Sequence, residues 1–325
     1  MWFASVCGVR GEEADIGSSM RGGLKGNGEE EEERLPPWLR RKLPRGFVYA
    51  QTQNTLRKHK IRTVCEEAKC PNHLECFSKK SATFLVLGKS CTRACSFCDV
   101  DFSSSPPPPD KEEPERIAQA AKALSLNHVV ITMVTRDDLA DQGASHVAET
   151  IQRVREELPH ASIEVLTSDF SGDRQLIDVV LEEKPEIFNH NIETVRRLTP
   201  RVRHCATYAR TIQLLSYAYS CNKASFIKSG IMVGIGEREG EVEETILDLY
   251  SAGCSIITIG QYLQPKKGKL PIASFVHPKQ FRWYEEYGYS IGVQTMYCAP
   301  FVRSSYNAHL LKKGNIGGKL FRGRV

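Results

Sequence analysis

Short apolar runs alternate with longer amphipathic stretches along the middle of the chain, between residues 83 and 264. The runs are rich in β-branched residues and have the length of strands, whereas the stretches between them have helical spacing. The pattern predicts six strands, at residues 83–87, 128–134, 162–167, 186–191, 227–234 and 255–259. It predicts helices between them near residues 114–125, 144–157, 173–183, 207–220 and 239–252.

Repeated strand–helix units of this kind are typical of an α/β fold with a parallel sheet. Six units are too few for a closed barrel of eight, so we expect a partial, laterally open (β/α)6 barrel of the TIM type. Ligands of parallel α/β sheets bind at the carboxyl ends of the strands. The residues that follow each predicted strand are therefore the candidates for function.

The segments on either side of the predicted barrel, which occupies residues 81–270, differ from it in pattern. Residues 10–34 are rich in Gly and Glu and lack apolar periodicity, and we expect residues 1–34 to form a disordered acidic leader. We expect residues 35–80 to form an N-terminal extension and residues 271–325 a C-terminal extension.

Composition and charge narrow the class of protein. Hydrophobic residues make up 41% of the 325 residues, as in a globular core, and the formal charge of +5 comes from scattered basic residues. A charge of this size without a basic patch argues against a nucleic-acid partner. The longest apolar runs have the length of strands, so no membrane span is expected. The N-terminus resembles neither a secretory signal nor an Arg-rich transit peptide, which predicts a cytoplasmic protein whose thiols stay reduced.

Three cysteines follow the first predicted strand at the spacing CxxxCxxC: Cys91, Cys95 and Cys98. A loop this short brings three thiolates to one face, and thiolate is the usual ligand of iron–sulfur clusters. Three ligands leave one iron of a four-iron cluster open, and an open position is typical of metal centres that carry out chemistry. A zinc knuckle that lacks a local fourth ligand is the alternative interpretation.

A second triplet lies upstream at the spacing CxxxxCxxxxxC: Cys65, Cys70 and Cys76. Core cysteines occur singly, so two triplets this close together indicate metal ligands. His73 is interpreted as an ordinary loop residue. Four further cysteines lack ligand spacing and are interpreted as small buried apolar residues, namely Cys205, Cys221, Cys254 and Cys298.

The downstream triplet, with Phe97 directly before its last thiol, resembles the signature of the radical S-adenosylmethionine superfamily. The resemblance implies that S-adenosylmethionine binds the open iron and is cleaved by one electron to a 5′-deoxyadenosyl radical, which abstracts hydrogen from an unactivated carbon. Further motifs are similar to those of lipoyl synthases, in the same order over about residues 36–312. They are the CPN core of the upstream triplet, NHNIET at 189–194, GIMVG at 230–234, TIGQYLQP at 258–265 and RSSY at 303–306.

The lipoyl synthase resemblance implies a second four-iron cluster, held by the upstream triplet and a serine of RSSY, for which the family pattern favours Ser305 over Ser304. It implies that this auxiliary cluster is consumed as the sulfur donor. Two sulfur atoms enter an octanoyl chain at carbons 6 and 8, and two molecules of S-adenosylmethionine are used, in the last step of lipoate synthesis. An alkoxide is a harder ligand than a thiolate, so that corner of the cluster should be labile. Without the resemblance, these serines would predict a turn or a helix cap.

Polar and glycine residues at the ends of two predicted strands are candidates for contacts with S-adenosylmethionine. They are Asn189, Asn191 and Glu193 at the fourth strand, and Gly234, Gly236 and Glu237 at the fifth. A buried polar network that closes the barrel is the alternative for the first group. The GxxxGxG pattern of the second is by itself a weak sign of close backbone approach. Residues 136–138, after the second strand, predict either a salt-bridged helix start or support for the site.

The implied partners are octanoylated lipoyl domains of 2-oxoacid dehydrogenases, the glycine-cleavage carrier protein, and an electron donor such as ferredoxin or flavodoxin. Two rival interpretations stay open. One is another sulfur-inserting member of the superfamily, such as a biotin synthase, which the two triplets together with RSSY disfavour. The other is a non-catalytic zinc-binding or metal-storage protein, and a zinc protein would carry no acid-labile sulfide.

Overall fold

The computed structural model describes residues 35–40 and 47–305 of the chain. The predicted leader, residues 1–34, lies outside the described residues. The chain divides into two compact units, Met1–Arg40 and Arg41–Val325. The described part of the first unit is a short 3-10 turn, Pro37–Leu39, whose prolines favour the φ angle that a helical turn requires.

Three helices open the second unit: α1 (Phe47–Lys58), α2 (Val64–Glu67) and α3 (His73–Ser78). Thr63 caps α2, because its hydroxyl accepts a hydrogen bond from the backbone N–H of Glu66 and donates one to the Glu66 carboxylate. The hydroxyl thus satisfies one of the backbone donors that a helix start leaves free. Thr52 of α1 donates to the backbone carbonyl of Phe77 at 2.8 Å and so ties α1 to α3. The upstream cysteines therefore lie on a braced scaffold.

Seven parallel strands form the main sheet, in the order in which they follow one another along the chain. They are β1 (Thr83–Val86), β4 (His128–Met133), β5 (Ser162–Leu166), β6 (Ile187–Asn189), β7 (Phe226–Val233), β8 (Ile256–Gln261) and β9 (Thr295–Cys298). Two shorter strands, β2 (Ser90–Cys91) and β3 (Asp101–Phe102), pair with each other after β1. No pairing closes β1 onto β9 within the described part of the chain. The predicted partial, open barrel is confirmed, and β9 adds a seventh strand that the pattern did not predict.

Helices connect the strands and cover the sheet. They are α4 (Glu113–Ala123), α5 (Ala144–Glu157), α6 (Arg174–Leu181), α7 (Thr199–Val202), α8 (Tyr208–Cys221), α9 (Glu241–Ser251) and α10 (Pro278–Ser290), with a 3-10 turn at Phe170–Gly172. The ends of the predicted strands and helices lie within two residues of those observed. Every residue of β8 is buried, as expected for a parallel strand covered on both faces. Over the described ranges, no helix has the length and apolarity that a membrane span requires.

A buried ion pair lies inside the barrel, on the same strand faces as residues that line the cavity described below. Lys228 of β7 donates to both carboxylate oxygens of Glu164 of β5, at 2.9 and 3.0 Å. Asn189 of β6 donates to the same carboxylate at 2.8 Å. Burial alone would raise the pKa of Glu164, but the charge of Lys228, with a contribution from His128 at 3.6 Å, outweighs burial and lowers the pKa to about 2.

Replacing Lys228 by Met should lower the free energy of unfolding at pH 7 by about 3–5 kcal/mol, because the Glu164 carboxylate is then buried without its partner. In the parent, the folded pKa of Glu164 lies below its unfolded value of about 4.3, so the pair stabilises above about pH 4. That stabilisation is lost as the pH falls toward 2. In the variant, burial dominates and raises the pKa, so stability should instead increase as the pH falls from 7 to 5. Urea unfolding at both pH values measures the change.

The matched control is the double variant Lys228→Met with Glu164→Gln, which removes both charges. It should recover most of the lost free energy, because an uncharged amide costs less to bury than an unpaired carboxylate. If the single variant and the parent have the same free energy of unfolding at pH 7, the pair contributes no stability.

Candidate active site

A cavity of about 510 Å³ lies at the carboxyl ends of the strands. Residues that directly follow β4, β5 and β6, such as Val134, Thr167 and His190, form part of its wall. This is the edge of the sheet at which the strand–helix pattern predicts a site. All seven residues predicted to bind iron also line it: Cys65, Cys70, Cys76, Cys91, Cys95, Cys98 and Ser305.

The downstream triplet lies in the loop that follows β1, and its sulfur atoms face backbone N–H groups. Cys91 Sγ accepts from the N–H of Arg93 and Cys95 Sγ from that of His204, each at 3.4 Å. Cys98 interacts in the same way with the backbone of Val100. Donors of this kind stabilise the thiolate, which is the form that binds iron. The loop therefore suits three thiolate ligands.

Burial raises the pKa of the Cys98 thiol to about 12, and the nearby Cys95 and Cys91 add to the shift. The pKa of Cys65 is raised to about 12 as well, first by burial and then by Cys70 and Cys76. Thiols with such pKa values keep their protons at neutral pH unless a metal replaces them. The mutual effect also indicates that the members of each triplet lie close to one another.

The spacing of the side chains bears on the zinc alternative. Over residues 35–40 and 47–305, no three His, Cys, Asp or Glu side chains converge closely enough to hold a single metal ion. Four ligands of one zinc ion must lie within about 2.3 Å of it. In an iron–sulfur cluster, by contrast, each thiolate binds a different iron, so the thiolates stand further apart.

Arg93 anchors the downstream triplet to the ends of β4 and β5. Its buried guanidinium donates to both carboxylate oxygens of Asp137, at 2.7 and 2.9 Å, and to Asp169 at 2.7 Å. Burial opposes ionisation of Asp169, but Arg93 and the neighbouring basic groups lower its pKa to about 2. Of the two interpretations of residues 136–138, support of the site applies to Asp137, because it binds Arg93 of the downstream loop. Asp169 did not enter the predicted site, although it follows the third predicted strand by two residues.

The upstream triplet meets the C-terminal segment through Asn72, the asparagine of the CPN core. Its buried side chain donates from Nδ2 to the backbone carbonyl of Phe301 at 2.6 Å. This bond joins residues 229 positions apart in the sequence. It holds the loop that carries Cys70 beside the segment that carries Ser305.

The same C-terminal segment packs backbone to backbone against the end of β8. The N–H of Gln261 donates to the carbonyl of Pro300 at 3.1 Å. A Cβ placed on Gly260 would overlap the backbone carbonyl oxygen of Val302. Only glycine allows this approach, which sets the position of Ser305.

Gly260→Ala should therefore displace the segment that carries Ser305. We expect a loss of about 1–3 kcal/mol in the free energy of unfolding, because the backbone must shift to accept the methyl group. If each triplet holds a four-iron cluster, as the resemblance implies, one of the two would lose a ligand, and we expect about half the iron of the parent after anaerobic reconstitution. Iron analysis and thermal unfolding measure the two effects.

Gly240→Ala is the control, because a Cβ at Gly240 meets no atom within 4 Å. Its positive φ of 81° makes alanine unfavourable there as well, so it too should be less stable, but it should keep the full iron content. Full iron in Gly260→Ala would show that the close approach is not required.

The two serines of the RSSY motif differ in their surroundings. The hydroxyl of Ser304 accepts a hydrogen bond from Asn191 Nδ2 at 3.2 Å. The hydroxyl of Ser305 lines the same cavity and forms no hydrogen bond with any residue the structure describes. Of the two serines, Ser304 is therefore the one that Asn191 engages.

Three of the residues predicted to contact S-adenosylmethionine line the cavity: Phe97, Asn191 and Glu193. Asn191 Oδ1 is buried and has no hydrogen-bond partner among the described residues. Glu193 has a left-handed backbone, with φ of 68°, and burial raises its pKa while Arg203 opposes the shift. Buried polar atoms without partners require an explanation, and a polar ligand in the cavity provides one.

The other four predicted contacts do not line this cavity: Asn189, Gly234, Gly236 and Glu237. Asn189 is fully buried and donates to Glu164 within the barrel. Its position agrees with the alternative interpretation, a buried polar network within the barrel. Asn189 and Asn191 have the same parity in the sequence, but side chains alternate regularly only within a strand, and β6 ends at Asn189.

The three residues after β7 form a compact turn. The Glu237 carboxylate accepts from the backbone N–H groups of Gly234, Ile235 and Gly236, at 2.9, 3.1 and 3.3 Å. Gly234 has a φ of 93°, and a Cβ there would overlap the Gln261 side chain. These residues shape the end of the strand, and their carboxylate and N–H groups satisfy one another.

Comparison with protein families gives two matches. A model of the radical S-adenosylmethionine superfamily matches residues 85–249. A model of the N-terminal domain of lipoyl synthase matches residues 12–70. The two regions contain the downstream triplet and the first two cysteines of the upstream triplet, respectively.

Among characterised relatives, the chain is 58% identical to a lipoyl synthase of Protochlamydia amoebophila over 280 residues, which are 86% of this chain and 87% of that protein. It is 52% identical to a lipoyl synthase of Chlamydia felis over 279 residues, or 86% of this chain and 89% of that protein. Similarity at this level extends over almost the whole of both chains.

Two solved structures are similar in fold. Streptococcus suis SuiB bound to its precursor peptide SuiA has a TM-score of 0.52 at 12% identity, and the match covers 77% of this chain and 52% of that one. The FeFe-hydrogenase maturase HydG from Carboxydothermus hydrogenoformans has a TM-score of 0.51 at 12% identity, covering 79% and 73%. At this identity the likeness concerns the fold alone.

Proposed function

This chain belongs to the lipoyl synthase family of the radical S-adenosylmethionine superfamily, and from that premise we propose how its residues perform the reaction. The enzyme is a sulfurtransferase that inserts two sulfur atoms, at carbons 6 and 8, into an octanoyl chain bound to a protein lysine. One observation carries the assignment of residues: both cysteine triplets and Ser305 line a single cavity.

We propose that this cavity holds two four-iron, four-sulfur clusters. Cys91, Cys95 and Cys98 would hold the cluster that works with S-adenosylmethionine. Cys65, Cys70, Cys76 and Ser305 would hold the second cluster. The N–H groups that face the downstream sulfur atoms and the uncommitted hydroxyl of Ser305 support this division. When bound, the clusters and S-adenosylmethionine supply the radical chemistry and the sulfur atoms, which no side chain can supply.

The residues of the chain bind and orient the reactants. Asn191 and Glu193 would contact the polar end of S-adenosylmethionine, since both line the cavity and Asn191 Oδ1 has a free acceptor position. Arg93 holds the downstream loop in place through Asp137 and Asp169. A rigid loop keeps reacting groups in a productive geometry.

Part of the cavity wall is apolar, as the binding of an alkyl chain requires. Its apolar side chains include Leu85, Met133, Leu166 and Ile231. An octanoyl chain gains free energy when its methylene groups leave water, about 0.8 kcal/mol for each. We propose that the chain extends along this wall, between the two triplets.

The proposed partners are octanoylated lipoyl domains of 2-oxoacid dehydrogenases and the glycine-cleavage carrier protein, with a ferredoxin or flavodoxin as electron donor. We also propose a cytoplasmic location. Cysteines from Cys65 to Cys298 are free thiols, and clustered thiols of this kind persist in a reducing compartment.

The experiment that tests this function is anaerobic mass spectrometry of an octanoyl-lysine peptide incubated with the reconstituted enzyme, dithionite and S-adenosylmethionine. The expected product gains two sulfur atoms, less two hydrogens in its cyclic disulfide form, and 5′-deoxyadenosine appears with it. Deoxyadenosine without a thiolated peptide would keep the radical chemistry and exclude this substrate, as a biotin synthase would behave.

A further inference from the structure

A second, smaller cavity of about 100 Å³ reaches the downstream triplet from the surface of the molecule. Cys95 and Cys98 line both this cavity and the large one. The cysteines of the upstream triplet do not line it. The small cavity therefore leads to one proposed cluster and not to the other.

The surface around this cavity is basic and carries an exposed aromatic ring. Phe102 of β3 is 56% exposed. Lys266 and Lys269 line the same cavity, and Lys267 between them is exposed. We call Phe102 together with Lys69, Lys266, Lys267 and Lys269 the basic rim.

Lys69 and Lys266 of the basic rim are exposed, whereas the carboxylate of Asp99, which pairs with both of them, is buried beneath them. Asp99 follows Cys98 directly and its side chain is only 2% exposed. Lys69 and Lys266 bind its two oxygens at 2.8 and 2.7 Å, while their own side chains stay 57% and 50% exposed. Two lysines thus share one buried carboxylate, and exposed Asp101 adds one more negative charge. The four lysines outnumber these two carboxylates, so the surface keeps a positive potential.

Resting on the function proposed above, we propose that the basic rim docks a small acidic one-electron carrier protein, of which flavodoxin is an example. Such a donor delivers one electron to the cluster that Cys91, Cys95 and Cys98 would hold. The donor is oxidised by one electron, the cluster is reduced by one, and no atom crosses the interface. Electron transfer requires a short distance between donor and cluster but no open channel. The basic rim provides this proximity, because it lies over the loop that carries Cys98.

The rim has the features of a transient, electrostatically steered contact. Opposite charges speed the encounter of two proteins and set their orientation. The exposed ring of Phe102, which lines the small cavity with Lys266 and Lys269, supplies apolar contact. The substrate carrier does not fit here, because its octanoyl chain must meet both triplets and the small cavity leads to one of them only.

The test uses the reconstituted enzyme and the variant Lys267→Glu with Lys269→Glu, which leaves Lys69 and Lys266 paired with Asp99. Calorimetry measures the Kd of a flavodoxin that carries its flavin. A second assay compares 5′-deoxyadenosine formation driven by reduced flavodoxin with that driven by dithionite. We expect Kd and the KM for flavodoxin to rise about tenfold or more at low salt, and less at about 0.3 M salt, where charges are screened. The dithionite-driven rate should stay within about twofold of the parent, because dithionite needs no docking surface.

Phe102→Ser is a second variant, which keeps the charge and removes the ring, and should also weaken flavodoxin binding. The matched control, Lys122→Glu with Lys184→Glu, reverses two charges at the opposite edge of the sheet, where α4 and α6 end. It should leave both Kd and KM unchanged.

Three results would overturn the proposal: an unchanged flavodoxin Kd in the lysine variant, an equal loss of rate with dithionite, or weakened binding of an octanoylated carrier domain in place of flavodoxin. The docking surface and the reaction are tested separately. Failure of the parent to thiolate its substrate with dithionite would reject the proposed function, while the flavodoxin Kd still decides on the basic rim.

Discussion

Cys65→Ala should abolish the lipoyl product and leave the cleavage of S-adenosylmethionine to 5′-deoxyadenosine close to the rate of the parent. The sulfur of Cys65 lies with Cys70 and Cys76, whereas the downstream triplet has its own backbone donors and its own anchor in Arg93. Loss of one thiolate leaves the second cluster with too few ligands. Iron should fall from about eight to about four atoms per chain, measured by iron and sulfide analysis beside the product assay.

Cys254→Ala is the matched control for this prediction. Cys254 is also buried, and burial alone raises the pKa of its thiol, but it does not line the cavity. The variant should keep both clusters and most of the product. Normal lipoyl formation by Cys65→Ala would show that the upstream triplet is not the source of sulfur. Cys98→Ala, in contrast, should lose cleavage of S-adenosylmethionine as well.

Most strands and helices of the barrel could be predicted from local sequence, because β-branched runs and amphipathic stretches indicate which residues a strand or helix can bury. The last helix, α10, and the last strand, β9, could not be predicted in this way. β9 has only four residues, Thr295–Cys298, and two of its side chains are polar. Gly288 in the last turn of α10 argues against a helix by propensity. Its reason is tertiary, since a Cβ there would overlap the sulfur of Met296 in β9.

The convergence of the six cysteines on one cavity could be predicted, because their spacing within short segments already limits which sulfur atoms can approach one another. The contacts that assemble the site could not. Arg93 and Asp169 are 76 residues apart, and Asn72 and Phe301 are 229 apart. No local pattern carries such pairings, although both aspartates that bind Arg93 lie at strand ends, where a parallel sheet places its site.

The predicted contacts with S-adenosylmethionine show that side-chain direction cannot be inferred from alternation beyond the end of a strand. Asn189 and Asn191 have the same parity, but the first bonds to Glu164 inside the barrel and the second faces the cavity. β6 ends at Asn189, and at Glu193 the backbone turns into the left-handed region. Side-chain direction beyond a strand end depends on that turn, which the sequence pattern does not specify.

Ser305→Ala should reduce lipoyl product to less than about a tenth of the parent, because the second cluster loses its fourth ligand. Ser304→Ala is its neighbouring control and should keep most of the activity. The hydroxyl of Ser304 is already engaged by Asn191 at 3.2 Å, and its loss removes one hydrogen bond. Product is measured by mass spectrometry under single-turnover conditions.

Ser305→Cys separates assembly of the cluster from its use. A thiolate is a softer ligand than an alkoxide and should hold iron more firmly, so this variant should carry the full iron content. If lability at that corner is what makes sulfur available, the same variant should form less product than the parent. Full iron with full product would show that the hydroxyl only anchors the cluster. Loss of product in Ser304→Ala but not in Ser305→Ala would instead make Ser304 the ligand, with Asn191 holding it in position.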